Sequence, residues 1–132
     1  MREAMNRIEE FNQEGKNIMY IDFSGIKTQA EACAAIESIE PAVAKYSPNS
    51  LYTITNIESI RITSGTMKLL EEYLRHNKPY VICGVIIGLD GVKKMLATTL
   101  MKLSGRNNLF FAFSREKALE LLLRQEKKDG KI

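Results

Sequence analysis

Four short runs rich in Ile, Val, Tyr and Phe recur roughly every thirty residues, and each is followed by a stretch of helical periodicity. The runs are NIMYIDF (17–23), LYTITN (51–56), YVICGVII (80–87) and NLFFAF (108–113). Strands alternating with helices at this spacing predict βαβ units. The expected fold class is therefore α/β, a single-layer, mainly parallel sheet of four to five strands flanked by helices. The third run is apolar at nearly every position, which predicts a central strand covered on both faces. At 132 residues, with 45% hydrophobic and 27% charged side chains, the chain fits one globular domain spanning 1–132.

The helices follow from apolar spacing. Cys33, Ile36, Ile39, Val43 and Tyr46 form one stripe, with Pro41 predicting a kink or restart. Met67, Leu70, Tyr73 and Leu74 form a second, ending at Asn77 ahead of Pro79. Val92, Leu96, Thr99 and Leu103 are expected as the buried stripe of a third, which stops at Gly105. The last starts at Ser114, carries Glu116 in its first turn, and buries Ala118, Leu119 and Leu122.

Residues 1–15 read as an N-terminal extension. Met1, Ala4, Met5, Ile8 and Phe11 sit at helical spacing, predicting a short amphipathic helix, although a related α/β fold would place an antiparallel edge strand there. As a helix, this segment would pack on its own sheet or on the second subunit of a homodimer. Residues 126–132 form a polar tail that frays.

Nineteen basic residues against sixteen acidic ones leave a net charge of +3, too small an excess for a nucleic-acid-binding face. Cys33 and Cys83 stand alone in apolar contexts and are expected to be buried free thiols of a reducing compartment. The longest apolar run, VICGVIIGL, is far short of a membrane span, and residues 1–11 lack the apolar core of a signal peptide. A soluble cytoplasmic protein is expected.

The densest candidate for chemistry is GLDGVKK, 88–94. Gly88 and Gly91 would let backbone approach a ligand, and the following helix N-terminus, Lys93 and Lys94 would favour an anion, with Arg106 at the far end of the helix. Between 89 and 106 four basic residues oppose Asp90 alone. The alternative is that Gly88 ends the strand, Asp90 caps the helix and the lysines form a solvated face. Catalytic constellations are scarce. His76, the only histidine, suits the C-terminal end of a helix, and Asp22 with Ser24 and Gly25 suits a turn. Two isolated cysteines and one histidine give no zinc spacing, and there is no GxSxG elbow. No metal, cofactor or enzymatic activity is expected.

In ITSGTMKLL, Thr63 or Ser64 would cap the second helix, and a hydroxyl there is also well placed for phosphorylation. The element order now suggests a family. YIDFSG closes a strand, ITSGTMKLL opens a helix, HNKPYV leads a strand, and GLDGVKKML…LSGR precedes a short strand and AFSREKALELLL. From about residue 15 to 125 this resembles the SpoIIAA-like branch of the STAS/CRAL-TRIO-like α/β fold. The resemblance implies a non-enzymatic regulatory module that docks a protein partner and is switched by phosphorylation of a serine in a motif like Asp-Ser-Ser-Gly. Here Ser64 and Gly65 match, while Ile62 replaces the acidic residue and Thr63 the first serine. The implied partner surface is Thr63, Ser64, Gly65 and Met67 with the 88–94 loop. Other branches of the fold bind apolar small molecules. The alternative is thus a carrier or sensor of an anionic or lipid-like ligand, its head group on Gly88, Gly91, Lys93 and Lys94 and its tail against Met95.

Overall fold

All four expected strand runs form strands. A computed structural model describes residues 7–125. Its elements are β1 (Ile8–Gln13), β2 (Lys16–Asp22), α1 (Gln29–Val43), β3 (Leu51–Asn56), α2 (Ser64–Asn77), β4 (Val81–Ile87), α3 (Gly91–Ser104), β5 (Leu109–Phe111) and α4 (Arg115–Arg124). The strands make one sheet in chain order, with β1 antiparallel to β2 and the other pairings parallel.

Because the strand order never reverses, right-handed crossovers place α1, α2 and α3 on the same face, where α1 packs on α2 and α2 on α3. The core beneath them includes Met19, Ile21, Ile36, Ile39, Leu70 and Leu100. α4 covers the opposite face against β3 and β4, over Ile18, Tyr52, Ile54, Val85, Ala118 and Leu122. β4 is buried at every position, as a strand enclosed on both faces must be. Leu51 pairs with Val81 and Tyr52 with Cys83, leaving Ile82 as an extra residue in β4. The Asn108 side-chain amide donates to the Val81 and Ile82 carbonyls at 2.8 and 3.2 Å and closes the irregularity.

Three sequence expectations are corrected, and a fourth, left open between two residues, is decided. Residues 8–13 are an antiparallel edge strand, not helix. Glu14 and Gly15, at φ 54° and 80°, make a tight left-handed turn into β2. Ile8 then packs on one core and Phe11 on the other, as residues three apart on a strand do. Met1, Ala4 and Met5, and the tail 126–132, lie outside the described residues. Second, α3 buries Ala97, Leu100 and Ser104 rather than Leu96, Thr99 and Leu103. Each observed position follows the expected one by one residue, a rotation of about 100° about the axis. Third, Cys33 is only half-buried, its Sγ 3.6 Å from Glu37 Oε2, because Ala32, Ala35, Ile36 and Ile39 form the packed side of α1. Fourth, the second helix is capped by Thr63 and not by Ser64. Pro41 lies inside α1, which runs on to Val43, so the missing N–H falls in the last turn.

Candidate functional site

The start of α2 is held by paired threonines. Thr63 has extended backbone, and its Oγ1 accepts from Thr66 N at 3.3 Å while Thr66 Oγ1 accepts from Thr63 N at 2.7 Å. Thr66 is buried and its hydroxyl also donates to the Thr63 carbonyl, 2.9 Å away. Ser64 is the first helical residue, with an exposed side chain, and the first turn of α2 carries no acidic residue. A Cβ on Gly65 would run into the Gln29 side chain at the start of α1, so glycine lets the two helix ends approach. Met67 is half-buried against the core below.

The link from β4 to α3 is tightly specified. Gly88 has φ 84°, and a Cβ there would stand 2.6 Å from both Asn56 Oδ1 and Glu58 N. Asn56 Oδ1 in turn accepts from Glu58 N at 3.0 Å, fixing the turn after β3. Asp90 caps α3 by accepting from Lys93 N at 2.9 Å, and Lys93 Nζ lies 4.0 Å from Asp90 Oδ2. Lys94 Nζ instead sits 5.4 Å from the Phe111 ring centroid. The two ammonium groups therefore have different partners, and the helix N-terminus already meets a carboxylate of the chain itself. Gly91 is exposed with open space around it. Beside this loop is an open cleft of about 550 Å³, lined by Asn56, Glu58, Gly88, Asp90, Lys93 and Phe113 among others. Phe113 is fully exposed at its edge.

Along the outer side of α3, Val92, Met95 and Leu103 are 69%, 66% and 51% exposed. With Thr99 they fall on one stripe at helical spacing, about 100° from the packed side. Lys102 flanks this stripe, and Arg75 of α2 reaches its C-terminal end, donating to the Leu103 carbonyl at 2.6 Å.

The remaining sequence candidates lie elsewhere. Arg106 is 5% exposed and sits beyond the far end of α3, about 20 Å along the helix from Lys93. Its Nε donates to Asn108 Oδ1 at 3.0 Å and its Nη1 to the Leu74 carbonyl at 3.1 Å, and burial pulls the guanidinium down to about 10. Burial likewise raises the Cys83 thiol to about 11. Asp22 Oδ1 accepts from Ser24 N at 2.9 Å, an Asx turn after β2. His76 is in the last turn of α2, with Nδ1 2.9 Å from Asn77 Oδ1. β2 ends at the carboxyl edge of the sheet and α2 returns to the amino edge, so Asp22 and His76 are at opposite ends of the molecule. Among the described residues no group of three or more His, Cys, Asp or Glu could hold a metal ion, and no helix is long and apolar enough to cross a membrane.

No family model matches the chain, and neither does any curated protein. Among solved structures it is similar to an anti-sigma-factor antagonist (STAS) domain protein from Planctomyces limnophilus. The TM-score is 0.55 at 11% identity, over 87% of this chain and 97% of that one. The fold expected from the order of the elements is therefore the fold observed: the chain has the α/β architecture of a STAS domain.

Proposed function

We propose that this chain is a non-enzymatic regulatory module of STAS type, whose protein partner docks across the outer stripe of α3 and the start of α2. The observation that carries the reading is the exposure of Val92, Met95 and Leu103 in one line on a helix whose inner side is well packed. Burying each against a partner would contribute up to about 1.5–3 kcal/mol before the costs of association. Lys102 beside the stripe fits a partner with an apolar surface and an acidic rim. α2 and α3 both start at the carboxyl edge of the sheet and pack together, so Ser64 shares that edge with the first turn of α3, which supports including it in the docking region. A phosphate on Ser64 would meet free N–H groups of a helix with no acid in its first turn. It would add nearly two negative charges at the docking border while leaving the Thr63 cap in place.

The alternative, a carrier of an anionic or lipid-like ligand on Gly88, Gly91, Lys93 and Lys94, has less support. Asp90 accepts the Lys93 N–H, and Lys94 turns to Phe111. Affinity capture from the cells of origin separates the two readings. The docking reading expects a protein recovered with wild type and lost with Met95→Asp and Val92→Asp, both variants keeping the wild-type circular dichroism. An unchanged set of captured proteins would contradict it.

A further inference from the structure

A cavity of about 70 Å³, partly open to the outside, lies between α2, α3 and the sheet, with Phe23, Leu70, Tyr73, Leu100 and Arg106 in its lining. Most of the lining is apolar, but two groups are not at rest in it. The Tyr73 hydroxyl is buried and makes no hydrogen bond of ordinary length; the Asn77 side chain can serve it only as a donor, so its own O–H lacks an acceptor, while its ring is fixed edge-on against Phe23 at 5.2 Å between centroids. Buried hydroxyls are rarely left this way, because the bond to water surrendered on folding is not replaced. Arg106, also buried, lines the same cavity, and its guanidinium makes its two hydrogen bonds to neutral oxygens, those of Asn108 and Leu74. Among the described residues no carboxylate lies within ion-pair distance of it. The Leu74 carbonyl belongs to the last turn of α2 and brings the negative end of that helix, equivalent to about half a charge. The rest of the guanidinium charge stands unmatched in an apolar interior.

A cavity of this volume has room for roughly two waters, or for a solute of three or four heavy atoms, and none for an acyl tail. We infer that it is a binding site for a compact monovalent anion, chloride or a carboxylate the size of formate, held by the Arg106 guanidinium and the Tyr73 hydroxyl. Both groups donate and neither accepts from the other, so an acceptor carrying one negative charge satisfies them together. A dianion is disfavoured by size and by the single cation. The site lies apart from the docking surface proposed above and does not depend on it.

Thermal unfolding of the full chain at one fixed ionic strength in sodium gluconate, chloride and formate tests this. Gluconate is too large to enter. The melting temperature should rise by about 3–5 °C in chloride, in formate or in both, and the salt that gives the rise identifies the anion. Tyr73→Phe, which keeps the ring in the core, should cut the rise at least by half, and Arg106→Gln should abolish it. Equal melting temperatures in the three salts, as for a cavity holding water alone, would overturn the proposal, and so would a rise unchanged in the Tyr73→Phe variant. If Arg106→Gln does not fold, the chlorine NMR linewidth decides with wild type. Broadening reversed by formate supports the site, and its absence together with no formate stabilisation overturns it.

Discussion

The division of labour between Thr63, Ser64 and Thr66 is open to direct measurement. Thr63→Ala removes the acceptor of the 3.3 Å bond from Thr66 N and a 3.3 Å contact between the two threonine hydroxyls, on an exposed residue. A cap of that kind is worth about 1 kcal/mol. Thr66→Val keeps the buried shape but removes the acceptor of the 2.7 Å bond from Thr63 N and the donor of the 2.9 Å bond to its carbonyl. That change should cost about 2 kcal/mol, since polar backbone groups are left without their partner. Ser64→Ala should stay within about 0.5 kcal/mol of wild type, and Ser64→Asp should stabilise by about 0.3–1 kcal/mol by placing a charge at a bare helix N-terminus. Urea unfolding followed by circular dichroism reads all four, with an unchanged m-value as the check that only stability has moved. The expected order of stability is Ser64→Asp, wild type with Ser64→Ala, Thr63→Ala, Thr66→Val. A loss above 1 kcal/mol in Ser64→Ala, or none in Thr63→Ala and Thr66→Val, would refute the assignment of the cap to Thr63.

Gly88→Ala should destabilise by about 2–4 kcal/mol, from the left-handed backbone at φ 84° and a Cβ pressed against Glu58 backbone, and differential scanning calorimetry would show it. Glu31 accepts from the backbone N–H groups of Lys27 and Thr28, bonds that hold its carboxyl below the ordinary 4.5. Its folded value lies under the unfolded one, so its contribution is complete above pH 4.5 and lost as pH falls through the folded value. The stability difference between wild type and Glu31→Gln, measured by urea titration across pH, should accordingly be present at neutral pH and vanish in acid. The Glu37 carboxylate raises the Cys33 thiol and burial raises that of Cys83 to about 11, so access separates the two. Ellman's reagent at alkaline pH should titrate half-exposed Cys33 in the folded protein, slower than a free thiol, and reach Cys83 only after denaturant is added.

The strand runs and the starts of three helices were legible in the sequence because local chemistry fixes them. Runs of Ile, Val and Tyr between breakers formed β2 to β5, and Thr63, Asp90 and Ser114 each accept from the backbone N–H of the third residue of a helix. What escaped was decided by partners distant in sequence. Ile8 and Phe11 fit one face of a helix as well as opposite faces of a strand, and pairing with β2 decides for the strand. The signal available was Gly15 just ahead of β2, though Glu-Gly is not among the commonest hairpin pairs. On α3, Val92, Leu96, Thr99 and Leu103 make as regular a pattern as Lys93, Ala97, Leu100 and Ser104. Only the approach of α2 and the sheet selects the smaller set and leaves the larger side chains outside. Tyr73 was legible as a core residue and Arg106 as a cation, but their meeting at one cavity joins residues 33 positions apart and has no local signature.

The claim that the outer stripe of α3 is where a partner docks is tested most directly by a photo-crosslinking residue placed at position 95. The same residue at exposed position 117, on α4 across the sheet, serves as the control. After irradiation in the cells of origin, position 95 should give one discrete protein adduct that position 117 does not, and a phosphomimetic Ser64→Asp should change its yield. Identical adduct patterns from positions 95 and 117, or no adduct from position 95, would contradict the account.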